Sequence, residues 1–157
     1  MTALSPKPKI PKKCQSVLAP HGIGYRMRLL SQLTSRRFQE QLDALEMGLT
    51  PFHWVVLCCL WQEDGLATTK IVEKLQQVGG TLTGVLDRME ERKLIYRERD
   101  ISDRRIWRIW LTATGKQLQE VLPPIVFQLI EETTLGITQD ERELFSRLVD
   151  KMIANLS

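Results

Sequence analysis

Residues 79–110 read GGTLTGVLDRMEERKLIYRERDISDRRIWRIW, and this stretch decides the fold. Its first half has a helical period. Leu82, Val85, Leu86 and Met89 fall at i, i+3, i+4 and i+7 and form one apolar stripe. Thr81, Gly84 and Arg88 lie on the opposite side, flanked by Thr83, Asp87 and Glu91. The second half changes period. Residues 94–99 and 105–111 alternate roughly by two and are rich in Ile, Trp and Tyr, which suits two strands. A polar turn over residues 100–104 separates them.

A helix running straight into a hairpin with a basic tip is the outline of a winged helix. The helix would enter a major groove, and the tip would reach phosphates or a minor groove. The residues that carry a family likeness lie here as well. They are Thr81-Leu82-Thr83 at the helix start, Asp87-Arg88-Met89-Glu90 at its end, and Leu94 and Arg97 after it. Asp103-Arg104-Arg105 follow in the wing, and Leu111-Thr112 with Gly115 at its exit. In this order and spacing the segment resembles the MarR family of winged-helix transcription regulators. The likeness extends over roughly residues 22–157.

That resemblance implies a fold that is mainly α with a small β-hairpin wing, flanked by dimerisation helices at both ends. The expected organisation is a basic Pro/Lys tail over residues 1–20 and a first dimerisation helix within 21–48. A winged helix-turn-helix over 49–111 and C-terminal dimerisation helices over 112–157 follow. The expected function is a homodimeric regulator on double-stranded DNA with a pseudo-palindromic operator. Thr81, Thr83 and Arg88 would face the major groove. Arg104 or Arg105 would enter the minor groove or clasp the backbone, with Asp103 orienting one of them by a salt bridge. Lys70, Arg97 and Arg99 are further phosphate candidates.

Composition agrees with one domain carrying such arms. The chain has 157 residues, 43% of them hydrophobic, enough to pack a core. The net charge of +3 excludes a general polyanion binder. Its distribution says more: residues 81–108 hold eight basic and six acidic side chains, whereas residues 112–157 hold four basic and seven acidic ones. No apolar run reaches the ~20 residues that span a bilayer. The N-terminal stretch lacks the apolar core of a signal peptide. The expected location is the cytoplasm.

The rest of the chain reads in order. Pro6, Pro8, Pro11 and Pro20 alternate with Lys7, Lys9, Lys12 and Lys13, so residues 1–20 read as a mobile basic tail. From Ile23 to Glu46 the apolar residues Tyr25, Leu29, Leu30, Leu33, Phe38, Leu42 and Leu45 recur near a period of 3.6, and Gly48 ends the helix. Thr50 caps the next helix, with Pro51 in its first turn. The apolar run from Trp54 to Trp61 makes that helix buried on most sides. Glu63-Asp64-Gly65 is a turn. A third helix covers residues 69–77 with Ile71, Val72 and Leu75 inward, and residues 77–79 form the turn to the recognition helix.

Beyond the wing, Thr112 caps a long helix to about Leu135. Pro123-Pro124 should kink or break it. Gly136 ends that segment, and Thr138 with Glu141 forms a capping box for the last helix. Leu144, Leu148, Met152 and Leu156 then lie on one side at i, i+4, i+8 and i+12. This stripe needs a partner, and a second copy of the chain is the expected one.

Catalytic and metal chemistry find no motif. His21 and His53 are far apart, no Cys-x-x-Cys occurs, and Gly22-x-Gly24 lacks the strand context of a phosphate loop. No enzyme activity and no cofactor are expected. Cys58 and Cys59 sit in an apolar helix, where core packing is the default. The hydroperoxide-sensing branch of the family has a reactive Cys early in its first helix. Here that place falls near Gly24 to Arg26, without Cys, so no redox role follows. Lys93 stands where the family usually has Gly after the recognition helix, so it must turn left-handed or alter the exit at a cost of ~1 kcal/mol. Tyr25, His53, Trp54 and Trp61 would line a cleft for a small aromatic effector, if these rings are not simply core. The competing class is a winged-helix protein-interaction module without sequence-specific DNA binding, because Asp87, Glu90 and Glu91 sit among the arginines.

Overall fold

The structure is a computed structural model that describes Cys14 and residues 22–75 and 79–156, with backbone alone for residues 79–81. The remainder of the basic tail, the 76–78 turn and the side chain of Thr81 lie outside the described residues. The elements are α1 (Ile23–Asp43), α2 (Pro51–Gln62), β1 (Leu66–Ala67), α3 (Thr68–Leu75), α4 (Gly79–Glu91), β2 (Ile95–Arg99), β3 (Trp107–Leu111), α5 (Ala113–Thr133) and α6 (Gln139–Ala154). They divide into two compact units, Met1–Arg37 and Phe38–Ser157.

Apart from Cys14 and Gly22, the described part of the first unit is the leading portion of α1. Its apolar residues Ile23, Met27, Leu30 and Leu33 are exposed. The Arg28 guanidinium lies 5.6 Å from the centre of the Tyr25 ring.

The second unit holds the core. The α4 stripe behaves as its period dictates: Leu82, Leu86 and Met89 are fully buried, and Val85 packs at the edge. Each such side chain stabilises the unit by about 1.5–3 kcal/mol. They meet Val56, Leu57 and Leu60 of α2, Ile71 of α3 and Ile109 of β3 in one cluster. Thr50 caps α2 by accepting from the His53 backbone N–H at 3.3 Å. His53 Nδ1 accepts from the Thr50 backbone N–H at 3.2 Å in return, completing a capping box.

Helix ends differ from the periodic reading by a few residues. The first helix stops at Asp43 and not Glu46, because Glu46 takes φ of +53° and Gly48 φ of +62°. The third begins at Thr68 and is described to Leu75. The fifth ends at Thr133.

The wing is larger than a two-stranded hairpin. β1 joins it, giving a three-stranded antiparallel sheet in the order β1-β3-β2. Leu66 pairs with Ile109 and Ala67 with Arg108. A two-residue strand has no period of its own, and only these distant partners make it one. β2 and β3 pair Ile95 with Leu111, Arg97 with Ile109 and Arg99 with Trp107. The tip therefore extends through Ile106, and Arg105 belongs to it and not to a strand. It is closed by Asp100 N–H to Ile106 C=O at 3.0 Å and Ile106 N–H to Asp103 C=O at 2.9 Å.

The joins at either end of the wing are tight. Lys93 adopts φ of +56°, the left-handed exit that the missing glycine demands. Thr112 donates from Oγ1 to the Lys93 carbonyl at 2.6 Å and from its backbone N–H to the Leu94 carbonyl at 3.0 Å. It caps α5 by accepting from the Gly115 N–H at 3.1 Å. A Cβ on Gly115 would collide with the Leu94 carbonyl, which explains the Leu-Thr-x-x-Gly spacing.

Pro123-Pro124 does not break α5. The helix runs without interruption from Ala113 to Thr133. The carbonyls that lose their donors are those of Gln119 and Glu120, on the solvent-facing side of the helix, while Leu118, Leu122 and Leu129 hold the other face in the core. Thr138 and Glu141 form the expected capping box on α6, which buries none of its residues. Its Arg142 ties back to α5 through Glu131 at 2.7 Å.

Candidate nucleic-acid interface

α4 turns Thr83, Asp87 and Arg88 away from the core, and all three are exposed. The Arg88 Nε–H donates to the Gly84 carbonyl one turn earlier at 3.1 Å, so the guanidinium lies along the outer face of the helix. Gly84 leaves room for this, since an added Cβ would come only within 3.9 Å of Arg88. Thr81 lies in the first turn of the same helix.

Two of the three acidic residues of α4, Asp87 and Glu90, are turned to a different task. Arg97 of β2 places one nitrogen 2.7 Å from Asp87 and another 3.0 Å from Glu90. The Arg97 backbone N–H also donates to Glu90 Oε1 at 3.1 Å. This arginine is largely enclosed, with 21% of its side chain exposed. As a phosphate candidate it is therefore already committed: it offsets part of the negative charge of the recognition helix and braces that helix against the sheet. A cleft of about 380 Å³ lined by Thr68, Thr83, Leu86, Glu90, Arg97 and Trp107 lies between α4 and the sheet.

The tip resolves which arginine Asp103 holds. Arg105 donates from Nε to Asp103 Oδ1 at 3.1 Å and from Nη2 to Oδ2 at 3.3 Å, while its own side chain stays 91% exposed. That bond to Arg105, first through its side chain and then through its backbone, holds the Asp103 carboxyl below the usual range. Arg104 is exposed, and its carbonyl accepts from Arg99 Nη1 at 2.8 Å. Arg99 in turn lies 3.8 Å over the Trp107 ring, so it supports the tip from below. Among the described residues, Arg88 and Arg104 have no carboxylate partner. Lys70, in the first turn of α3, pairs with Glu73 at 2.7 Å on an exposed face.

The residues proposed for an effector fall into different settings. His53 is 2% exposed, and its ring serves the α2 cap. Burial, with Arg92 and Arg88 nearby, lowers its pKa from 6.5 to about 4, so the ring is neutral. Trp54 meets Phe38 edge-on at 6.2 Å and Trp61 at 5.6 Å. The Trp61 indole N–H donates to the Gly115 carbonyl at 3.0 Å. Tyr25 belongs to the first unit. The capping use of His53 escaped the sequence reading, although His at the third helical position after Thr-Pro was a signal for it.

Among the described residues no helix is long and apolar enough to cross a membrane. No group of three or more His, Cys, Asp or Glu among them could hold a metal ion.

A profile of the MarR family matches residues 49–107. The chain is 32% identical over 129 residues to the transcriptional regulator HosA of Escherichia coli, covering 82% of this chain and 93% of HosA. Among solved structures it resembles Bordetella bronchiseptica BpsR, whose DNA binding is regulated by 6-hydroxynicotinic acid, with a TM-score of 0.74 and 30% identity over 83% of this chain and 97% of that one. It also resembles S. aureus MepR in complex with DNA, with a TM-score of 0.75 and 27% identity over 86% and 96% of the two chains.

Proposed function

The chain belongs to the MarR family of winged-helix transcription regulators, and from that premise we propose that it binds a pseudo-palindromic operator as a homodimer. As a transcription regulator it acts on DNA, and the alternative of a protein-only module falls away with its relatives. Each copy lays α4 in a major groove, with Thr81, Thr83 and Arg88 toward base edges. Each wing sets Arg104 and Arg105 on the backbone or in the flanking minor groove, with Asp103 steadying Arg105. Lys70 adds a phosphate contact from α3, and Arg99 acts through the tip it supports. The observation that carries this reading is the pairing of Asp87 and Glu90 with Arg97, which offsets part of the negative charge that would oppose a duplex and leaves Arg88, among the described residues, without a carboxylate partner on the outer face of α4.

Two copies are called for by the faces left open. Leu144, Leu148, Met152 and Leu156 of α6 are exposed, as are Phe127 and Ile130 of α5. Large apolar side chains left exposed at helical spacing mark an interaction surface. A small aromatic effector, of the kind named for BpsR, is proposed to act beside Trp54 on α2. The proposed location is the cytoplasm, where a DNA-binding regulator works.

The test is footprinting of the full-length protein on the DNA upstream of its own gene, followed by a salt titration on the protected duplex and on random duplex. Protection of two half-sites one helical turn apart, with affinity falling steeply as salt rises, is the expected result. A duplex affinity that ignores salt overturns the reading.

A further inference from the structure

One guanidinium ties the wing tip to the far end of α2. Arg108 of β3 donates from Nε to the Asp100 carboxylate and from Nη1 to the Gly65 carbonyl at 2.9 Å. Asp100 stands at the first residue of the tip and is only 6% exposed. Its carboxylate also accepts from the Ser102 backbone N–H at 2.8 Å, the Ser102 hydroxyl, and the Asp103 N–H at 3.0 Å. One side chain thus shapes the whole leading half of the tip. These bonds, that from the Ser102 hydroxyl first and that from the Asp103 backbone next, hold its carboxyl far below the ordinary range, so it is ionised at any working pH.

The other anchor is equally fixed. Gly65 takes φ of +75°, and a Cβ there would run into the Trp110 ring. Its neighbour Asp64 accepts from the Leu111 N–H at 2.8 Å and the Gly65 N–H at 3.1 Å, and pairs with Lys116 of α5 at 3.3 Å. The turn after α2 is therefore joined to β3 and to α5 at once. Arg108 spans from this junction to Asp100 along a cavity of about 390 Å³ lined also by Glu63, Glu98 and Ile101.

We propose that Arg108 is a positioning residue for DNA binding: bridging the Gly65 carbonyl and the Asp100 carboxylate, it sets the attitude at which the wing presents Arg104 and Arg105, and it acts through the wing and not on the duplex. The proposal rests on the DNA-binding reading above. The forked geometry requires arginine, because a lysine ammonium at that point reaches one acceptor but not both in the same plane. It also gives the α2 end a direct mechanical line to the tip, so a change at the Asp64-Gly65 turn is felt by the wing.

The experiment compares full-length wild type with Arg108→Met, Arg108→Lys, Asp100→Asn and the Arg108→Met, Asp100→Asn double variant. Methionine keeps the aliphatic stem. Asparagine keeps an acceptor for Ser102 and Asp103 while losing the charge that faces Arg108. Amide hydrogen exchange is followed over residues 99–106, with α4 as the internal reference, and affinity is measured across a salt series on the footprinted duplex. Arg108→Met is expected to speed exchange at Ser102 and Asp103 with α4 unchanged. It is also expected to weaken operator binding roughly tenfold without altering the log–log salt slope. Lysine should not rescue either readout, and the double variant should be no worse than the weaker single one. Unchanged tip exchange in Arg108→Met overturns the proposal, as does unchanged affinity. A slope that falls by about one overturns it too, because Arg108 would then touch phosphate itself. If wild type fails to bind duplex at low salt, it is the DNA-binding reading that falls, and the exchange data still decide whether the bridge holds the tip.

Discussion

The Arg97 guanidinium of β2 stands 2.7 Å from the Asp87 carboxylate of α4 and closes the recognition helix onto the wing. Replacing Arg97 by Met leaves Asp87 and Glu90 side by side without a cation. Both carboxylates are partly in water, so the expected loss is about 1–2 kcal/mol, read as a lower urea midpoint. Operator affinity should fall as well, through repulsion and a loosened helix, while the salt slope stays constant. A slope reduced by about one would mark Arg97 as touching phosphate after all.

The wing tip and the recognition helix should fail differently. Arg104→Ala with Arg105→Ala should weaken binding to every sequence and lower the log–log salt slope by roughly one unit for each phosphate no longer neutralised. Arg88→Ala should cost about 1–3 kcal/mol on the operator and much less on random duplex. A salt series for both variants on both duplexes separates them. If the wing variant loses only specificity while Arg88→Ala loses only slope, the two roles are reversed.

Replacing Leu148 and Met152 by Asp places two charges on the exposed apolar face of α6. Sedimentation should shift from dimer to monomer at micromolar concentration, and operator affinity should drop with it, because two half-sites must be held together. A monomeric wild type, or a variant that still sediments as a dimer, would refute the assembly proposed here.

Acid stability should bear the mark of His53. Its folded pKa of about 4 lies under the ordinary 6.5, so the unfolded chain binds the proton more readily. Stability is then undiminished above pH 6.5 and declines as pH falls to about 4, by about 3 kcal/mol in all. His53→Gln keeps a side chain able to complete the capping box but removes the titration. Its urea midpoint should be nearly flat over that window. An equally steep decline in both proteins would assign the acid sensitivity elsewhere.

Cys58 and Cys59 should react slowly with thiol reagents in the folded protein. Burial, and then the neighbouring Cys59, pushes the Cys58 thiol up to about 11, and burial raises Cys59 as well. Little thiolate forms at neutral pH, and Cys59 is only 8% exposed. Mild peroxide should leave DNA binding intact. Peroxide-driven release that vanishes in a Cys→Ser variant would restore a redox reading.

What the sequence made legible was local. Thr50, Thr112 and Thr138 announce their helices because a cap bonds only a turn ahead, and Leu82, Leu86 and Met89 announce a buried face because period alone places them. The Leu66–Ala67 strand was not legible, since pairing with Ile109 and Arg108 is what makes it a strand. Nor could the neighbourhood of Arg97 be read. Its row of charges suggests a solvated cation, and only the fold of β2 against α4 turns it onto Asp87 and Glu90. Pro123-Pro124 leaves α5 unbroken because the missing hydrogen bonds fall on the wet side of the helix, which is a property of packing and not of composition.

Gly115 limits how this lineage can drift. Any other residue there would press against the Leu94 carbonyl, which already accepts the Thr112 N–H, so it could yield only by opening the seam where the wing leaves and α5 begins. A saturation library at this position should return glycine alone, whereas the exposed Gln117 two residues on should accept almost any substitution. Operator preference is free to change through the exposed side chains of α4 and the tip, while this join stays invariant. A recombinant that grafts a foreign wing onto this scaffold must therefore cross over on one side of it or the other, and never through it.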